Sequence, residues 1–313
     1  MVKTLVTGAA GFIGSHTVDQ LLSAGHTVFG VDNFRTGRRE NLTKALRHKT
    51  FVLQECDVAE ESEFVEVVGQ IRPNVIIHLA ALVSVPQSIA NPALNDRLNF
   101  QATRIVADAA RKHLVTRIVF ASSAAVYGDP TVYPIAEDAP TKPLSPYGSA
   151  KLASEGLLLD YANKYGLNIH CHRYFNVYGP RQDPRSPYSG VISVFLDCLK
   201  RKTAPTIYGD GKQTRDFVSV HDVAHANVIA ATREGSRSGV FNICTGRRTS
   251  INDLWSLISQ LQPKTSEPTY APSRPGDIRH SCGSPEAARL NFGFSAATNL
   301  ATGLAELREA ACR

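Results

Sequence analysis

The sequence predicts an α/β fold in which helices cover both faces of a doubly wound parallel sheet, with a smaller lobe from the C-terminal half. Short runs rich in Val and Ile alternate with segments of helical periodicity, and a glycine-rich turn joins the first strand to the first helix. The predicted strands are residues 2–7, 27–31, 50–54, 75–79, 116–121 and 168–174, and the predicted helices lie near 12–24, 61–71, 98–112 and 146–165.

The alternation of strands and helices ends near residue 175. Gly- and Pro-rich segments around shorter elements replace it. We therefore expect a nucleotide-binding domain over 1–175, completed by a returning segment near 217–243. The remaining segments, 176–216 and 244–313, are expected to form the second, ligand-binding lobe.

The composition is that of a globular protein, with 313 residues, 43% hydrophobic and 20% charged. A net charge of +6 suits an anionic ligand, but Lys and Arg are spread along the chain, so nucleic acid is not an expected partner. The longest apolar run, at 75–85, is too short to span a bilayer, and a cytoplasmic location without membrane contact is expected. The cysteines lack C-x-x-C spacing and are expected to be reduced thiols: Cys56, Cys171, Cys198, Cys244, Cys282 and Cys312.

The first turn, in TLVTGAAGFIGSH, has glycines at positions 8, 11 and 14. Gly8, Gly11 and Gly14 permit a tight turn and close approach of a pyrophosphate to the backbone, and the helix N-terminus favours phosphate. Phe12 and Ile13 open this helix and are included in the predicted cofactor contacts. The spacing differs from G-x-G-x-x-G, so a chance glycine-rich turn is the alternative on local grounds.

An acidic residue, Asp32, ends the second predicted strand. Its carboxylate would accept hydrogen bonds from the adenosine ribose and repel a 2′-phosphate, which favours NAD over NADP, although Arg35 lies nearby. Asn33 is grouped with it. Asp57 and Val58 follow the third strand and are either contacts to the adenine edge or an ordinary strand-end turn.

A tyrosine and a lysine stand four residues apart in SPYGSAK. Ser145 is a favourable N-cap and Pro146 suits the first helical position, so Tyr147 and Lys151 would share one helix face. A nearby ammonium lowers the pKa of an acid, which makes Tyr147 a candidate general base near neutral pH. For an isolated motif of this kind, a surface tyrosine beside a solvated lysine is the more common structure.

Eight motifs occur in order along nearly the whole chain. The chain carrying them resembles the extended short-chain dehydrogenase/reductases that act on nucleotide sugars, most closely the UDP-hexose 4-epimerases. The motifs are TGAAGFIGSH, VDNF at 31–34, HLAA at 78–81, SSAAVYGD at 122–129, SPYGSAK at 145–151, RYFNVYGPRQ at 173–182, RDFVSVHDV at 215–223 and RPGDIRHS at 274–281.

The resemblance implies a catalytic set of Ser123, Tyr147 and Lys151. Tyr147 would take the proton from the sugar 4-hydroxyl, and Ser123 would hydrogen-bond the same oxygen. Lys151 would hold the nicotinamide ribose and depress the pKa of the tyrosine. Hydride would pass from sugar C4 to NAD+ and return to the other face of the 4-keto sugar, giving the 4-epimer.

The resemblance also implies further binding residues and a homodimer. Arginines suit a nucleotide diphosphate, because their planar fork pairs with phosphate oxygens; without the motif, surface salt bridges would be favoured. The further cofactor positions are Leu79, Ala80, Ala81, Asn99, Ser122 and Tyr174. The substrate positions besides Ser123 are Ser84, Asn176, Gln182, Tyr208, Arg215, Arg274, Asp277 and Ser281.

At two positions this sequence has alanine where related enzyme classes carry acidic residues. The 4,6-dehydratases carry Thr-Asp-Glu at the positions of Ser123, Ala124 and Ala125, and the sugar-acid decarboxylases carry a glutamate at the last of these. Because alanine cannot expel the 6-hydroxyl, a dehydratase is disfavoured, and a decarboxylase is disfavoured likewise. Another nucleotide-sugar-modifying member of the family, a 4,6-dehydratase or a reductase, stays the alternative. A nonenzymatic NAD-sensing protein on the same fold is a further alternative, but such proteins commonly lose the tyrosine or the lysine.

Sugar size is the second departure. Ser281 stands where epimerases restricted to UDP-glucose and UDP-galactose tend to carry tyrosine, so UDP-N-acetylglucosamine should fit. Val83 and Ser84 follow the N-acetyl-accepting branch, and Gln182 could bond the acetamide. Because Ala124 and Ala125 replace serines of strongly N-acetyl-selective members, dual specificity stays open, as do the physiological sugar and the pathway.

A pair of histidines and the single tryptophan are both interpreted as structural residues. His221 and His225 have the spacing of metal ligands on a helix, but no third ligand is evident, and no metal site is predicted. Trp255, in the amphipathic stretch INDLWSLISQL, is predicted to pack in a core.

Overall fold

The structure is a computed structural model, and it describes residues 1–183, 190–262, 266–273 and 278–311. Its strands are β1 (Lys3–Thr7), β2 (Thr27–Asp32), β3 (Phe51–Glu55), β4 (Val75–His78), β5 (Arg117–Ser123), β6 (Asn168–Tyr174), β7 (Asn176–Tyr178), β8 (Thr206–Tyr208), β9 (Thr214–Arg215), β10 (Phe217–Ser219), β11 (Gly239–Ile243), β12 (Thr249–Ser250) and β13 (Thr269–Ala271). Its α-helices are α1 (Phe12–Ser23), α2 (Glu61–Ile71), α3 (Val85–Ala90), α4 (Pro92–Asp96), α5 (Ala102–Lys112), α6 (Pro146–Tyr165), α7 (Val191–Arg201), α8 (Val220–Thr232), α9 (Ile251–Ser259), α10 (Glu286–Phe292) and α11 (Leu300–Ala311).

Seven parallel strands form the main sheet in the order β11-β6-β5-β4-β1-β2-β3. The chain builds outward from β1 through β2 to β3, then crosses back to β4 and builds the other way. Every predicted strand and helix is present, and the predicted Rossmann-type fold class is confirmed. The reversal beside β1 opens a crevice at the carboxyl ends of the strands, where ligands bind in such sheets.

Helices cover the two faces of the sheet and bury the apolar residues that predicted it. On one face α1 packs against α8, and Val18 and Val223 belong to the same core. On the other face α2, α5 and α6 pack together, with Phe64, Ile105 and Leu158 in a second core. Because both faces are covered, the strands carry continuous Val and Ile runs.

A third core lies among α7, α9 and β8. The ring of Trp255 packs edge-on against Phe195 at 5.4 Å between centroids, and Ile207 is buried with them. The predicted core role of Trp255 is thereby confirmed. This separate core supports the predicted second lobe, whose boundaries stay a prediction.

Other observations concern thiols and membranes. The five cysteines in the described part of the chain have free thiols, as predicted for those residues. Within residues 1–183, 190–262, 266–273 and 278–311, no helix has both the length and the apolar character needed to span a membrane.

Candidate active site

The glycine-rich turn between β1 and α1 leaves no room for side chains. Gly8 has φ +66°, and a Cβ there would lie 2.8 Å from the Ala80 nitrogen. A Cβ on Gly14 would lie 2.0 Å from the Gly8 oxygen, so the helix sits directly on the turn. Gly11, the N-cap of α1, caps the helix with no side chain. Backbone N–H groups at this end are therefore accessible to a phosphate that approaches closely.

Asp32 fixes the end of β2 beside this turn. Its carboxylate accepts hydrogen bonds from the Ala10 and Phe34 nitrogens, both at 2.8 Å. Burial raises the pKa of Asp32, while these backbone bonds oppose the rise. A carboxylate has about four acceptor sites, so capacity remains for ribose hydroxyls. The neighbouring Asn33 is exposed and accepts from the Arg35 nitrogen at 3.1 Å.

Asp57 and Val58 follow β3 at the same edge of the sheet. One carboxylate oxygen of Asp57 accepts from the Ala59 nitrogen at 2.9 Å, and the other lies 3.9 Å from Arg97. Val58 is buried in the core beneath α2. The strand-end turn is therefore present, and a contact with the adenine edge stays a prediction.

The loop after β4 carries Leu79, Ala80 and Ala81. The Thr7 hydroxyl accepts hydrogen bonds from the Leu79 and Ala80 nitrogens at 3.1 and 3.2 Å. Asn99 fixes the next residue, because its amide accepts from the Leu82 nitrogen at 3.1 Å. The loop is thus held against β1, within reach of the glycine-rich turn.

The helix predicted over 98–112 differs from the observed one. Arg97–Gln101 form a π-helical turn before α5, and Asn99 lies within it. The amide of Asn99 bonds both ways with Leu82, and the Thr103 hydroxyl bonds the Asn99 carbonyl at 2.7 Å. Periodicity does not register such a turn, although π-turns occur frequently at functional sites.

The first turn of α6 brings the three predicted catalytic residues together. Ser145 caps the helix, as expected, and the Tyr147 nitrogen donates to the Ser88 hydroxyl at 3.2 Å. Ser123, which ends β5, lies close enough to the Tyr147 phenol to lower its pKa. The Lys151 ammonium lies 5.9 Å from the Tyr147 ring centroid.

Burial governs the ionisation of this group. The pKa of Tyr147 is raised to about 12 by burial, and the bond with Ser123 opposes the rise. The pKa of Lys151 is lowered to about 7 by burial, and Glu155 opposes that change. Burial therefore outweighs the expected effect of Lys151, and the pKa of Tyr147 is raised and not lowered. The physical reason is that both side chains are buried, and desolvation disfavours the charged form of each.

Two predicted cofactor residues have internal partners. The Tyr174 phenol donates to Asn227 at 2.7 Å, in the layer between the sheet and α8. The Ser122 hydroxyl donates to Glu155, on the α6 side. Both residues end strands near the site, but these bonds direct their polar atoms into the protein interior.

The predicted substrate residues lie on several different elements. Ser84 is buried and caps α3, and exposed Asn176 donates its backbone N–H to the Asp216 carbonyl at 3.0 Å. Gln182 accepts from the Ser193 hydroxyl at 3.1 Å. Tyr208 ends β8 at the surface.

A backbone hydrogen bond holds Ser281 beside the strand that contains Arg215. Arg215 lies in β9, and the Ser281 nitrogen donates to the Thr214 carbonyl at 3.0 Å. Arg274 and Asp277, the other two predicted substrate residues, lie outside the described residues.

His221 and His225, which have the spacing of metal ligands, lie at or near the protein surface. His221 bonds Glu306 at 3.0 Å and packs edge-on against His16, with ring centroids 4.9 Å apart. His225 is exposed on α8. Among the described residues, no three His, Cys, Asp or Glu side chains form a group suited to a metal.

A buried ion pair behind the site was not predicted. Glu155 on α6 pairs with Arg173 on β6, with 2.7 Å between nitrogen and oxygen. The available signal was the arginine itself, a charged residue within the predicted strand NIHCHRY.

Comparison with known families identifies the scaffold. A sequence model of the NAD dependent epimerase/dehydratase family matches residues 4–244. The chain belongs to this family. A UDP-glucose 4-epimerase of Mycolicibacterium smegmatis is 40% identical to this chain over 309 residues, which cover 98% of each chain. The predicted relationship is thereby confirmed.

Solved structures agree with this family membership. A UDP-N-acetylglucosamine 4-epimerase of Methanobrevibacter ruminantium, in complex with UDP-N-acetylmuramic acid, superposes with a TM-score of 0.94 at 34% identity and covers 99% of this chain and 98% of that one. A UDP-glucose 4-epimerase of Thermus thermophilus, in complex with NAD, has a TM-score of 0.88 at 34% identity and covers 98% of both chains.

Proposed function

We propose that this protein is an NAD-dependent isomerase that inverts C4 of a UDP-hexose. The observation that carries the proposal is the meeting of Ser123, Tyr147 and Lys151 at the carboxyl edge of the sheet. Full-length similarity to UDP-glucose and UDP-N-acetylglucosamine 4-epimerases supports it.

The residues at the sheet edge fit NAD. A Cβ at Gly8 or Gly14 would collide with neighbouring backbone, so these glycines keep the turn tight beside the start of α1, where a pyrophosphate would bind, and Asp32 has acceptor capacity for the adenosine ribose. Lys151 would hold the nicotinamide ribose. When bound, NAD+ accepts a hydride and returns it, and its nicotinamide charge favours the ionised form of a nearby phenol.

Tyr147 is the proposed base for the sugar 4-hydroxyl. Its backbone N–H is bonded to the Ser88 hydroxyl, and Ser123 lies near its phenol, so the base and the second hydroxyl are positioned together before the sugar binds. Ser123 would share the reacting oxygen through its hydroxyl. Removal of the hydroxyl proton and the C4 hydrogen gives a 4-keto sugar, and Tyr147 returns the proton after the sugar turns over.

Besides holding the ribose, Lys151 is proposed to stabilise the ionised form of Tyr147. Its ammonium lies over the Phe120 ring at 4.8 Å, which fixes the side chain beneath the site. In its charged form it stabilises a phenolate at Tyr147. With burial lowering the pKa of Lys151 to about 7 against the opposing effect of Glu155, the charge on this lysine is adjustable near neutral pH.

The sugar-binding side is proposed to accept an acetamido group. Ser281 offers a small side chain next to the strand that carries Arg215, and Gln182 offers an amide to the acetamide. Ala124 and Ala125 place no acid near C6. We therefore propose activity on UDP-N-acetylglucosamine and on UDP-glucose, without loss of water.

The direct test uses four substrates. NAD-loaded protein is incubated separately with UDP-glucose, UDP-galactose, UDP-N-acetylglucosamine and UDP-N-acetylgalactosamine, and the products are identified by NMR. We expect at least one pair to reach the same mixture from both directions. No conversion of any substrate, or a 4-keto-6-deoxy product, would overturn the proposed function.

Two associated predictions concern assembly and location. We propose a cytoplasmic homodimer, which light scattering of the purified protein and fractionation of source cells would test. A solution mass equal to the 34.0 kDa of one chain would contradict the dimer.

A further inference from the structure

One carboxylate lies buried behind the catalytic group. Glu155 is 2% exposed and Arg173 is 4% exposed. They form two parallel bonds, from Arg173 Nε at 2.9 Å and Nη2 at 2.7 Å to the two carboxylate oxygens. A bidentate pair of this kind fixes both side chains in one orientation.

Further groups satisfy the remaining hydrogen-bonding capacity of Glu155 and Arg173. The Ser122 hydroxyl donates to Glu155, and Arg173 Nη1 donates to the Glu137 carbonyl at 3.0 Å. The guanidinium also stacks over the Tyr127 ring at 4.7 Å. These contacts satisfy the buried charges, yet such a pair is commonly no more stabilising than apolar residues of similar volume. Stability alone therefore gives a weak reason for it.

The position of Glu155 supplies a better reason. It follows Lys151 by four residues on α6, so both side chains project from one face of the helix. Its own ion pair is with Arg173, and it acts on Lys151 through space.

The other groups around Lys151 give its ammonium little support. From β5 it meets the Phe120 ring, and from α6 the Tyr147 ring. His78 on β4 is buried and held neutral, because burial, with a smaller effect of Lys151, lowers its pKa to about 3. On the far side of Glu155, Cys171 on β6 is held as a thiol, since burial raises its pKa. Among the described residues packed around Lys151, the supporting carboxylate is Glu155.

We propose that Glu155 is a positioning residue that keeps Lys151 charged, with Arg173 holding the carboxylate in place and ionised. Resting on the proposed function, this assigns the charge on the catalytic lysine to a residue that touches neither sugar nor cofactor. Without Glu155, burial alone would set the charge on Lys151.

The test compares Glu155→Gln with the double variant Glu155→Gln/Arg173→Gln. The single variant leaves Arg173 buried without its counter-ion and is expected to be destabilised. The double variant removes both charges and leaves two amides that can bond each other. It separates the electrostatic effect from the structural one.

Two readouts follow the charge on Lys151. In protein carrying lysine labelled with ¹³C at the ε-carbon, the Lys151 signal is assigned by its loss in Lys151→Met and titrated in each variant. The alkaline limb of the kcat profile is measured in parallel. We expect both to move to lower pH by about 1–3 units, the range for loss of a nearby opposite charge.

The outcomes separate the two proposals. An unmoved Lys151 titration in a folded double variant would overturn the role of Glu155, whatever the activity. If the wild type converts no UDP-sugar, the proposed function fails, while the NMR titration still tests Glu155.

Discussion

Replacing Tyr147 with phenylalanine removes one oxygen atom from the centre of the proposed site. If that oxygen is the base, kcat should fall by about 10²–10⁴, which corresponds to about 2.7–5.5 kcal/mol. Ser123 lies near this hydroxyl, and even the loss of one full hydrogen bond costs about 0.5–1.5 kcal/mol of stability. Against a typical unfolding free energy of about 5–15 kcal/mol, that cost leaves nearly all molecules folded. Unfolding therefore cannot imitate the expected loss.

The assay compares Tyr147→Phe with a control on the same helix. Tyr161 donates its hydroxyl to Asp108 at 2.6 Å, so Tyr161→Phe makes the same chemical change outside the site. Turnover of UDP-sugar, bound cofactor and melting temperature are measured for both. We expect both to melt within a few degrees of the wild type, with only Tyr147→Phe losing activity. Wild-type turnover in Tyr147→Phe, with cofactor bound, would refute the reasoning.

Three further predictions concern cofactor, sugar and acid stability. Because of Asp32, protein stripped of cofactor should regain activity with NAD+ at least tenfold better than with NADP+; equal reactivation contradicts this. Ser281→Tyr should lower kcat/KM for UDP-N-acetylglucosamine by about 5- to 150-fold through overpacking and spare UDP-glucose, whereas an unchanged ratio would mean that the gate lies elsewhere. Burial lowers the pKa of His170 from 6.5 to about 3, so the unfolded chain binds its proton first, and stability present above pH 6.5 falls as the pH drops. His170→Leu should therefore lose about 2 kcal/mol less than the wild type between pH 7 and pH 5 in denaturant titrations, and equal losses would contradict it.

Much of the site follows from sequence because parallel strands end at one edge of the sheet. Gly8 after β1, Asp32 at the end of β2 and Ser123 at the end of β5 must lie near one another once the strands are placed. Helical spacing adds Tyr147 and Lys151. Predicting that these residues are neighbours requires only the strand ends and a helical period of 3.6 residues, and both can be recognised in the sequence.

Burial was the feature that sequence could not give. The spacing of Tyr147 and Lys151 says which residues are neighbours, but their pKa values depend on how completely water is excluded by the surrounding elements. The inward bond of Tyr174 to Asn227 also depends on the packing of α8, which is distant in sequence.

The central claim is that one hydrogen leaves C4 of the sugar and returns to the same carbon within a single active site. UDP-glucose deuterated at C4 tests it most directly, with the labelled acetamido sugar as a second substrate. NMR of the product in ordinary water should show the 4-epimer with deuterium retained at C4, because the hydride never exchanges with solvent. Loss of the label to solvent hydrogen at C4 would contradict the account and indicate inversion by proton abstraction instead.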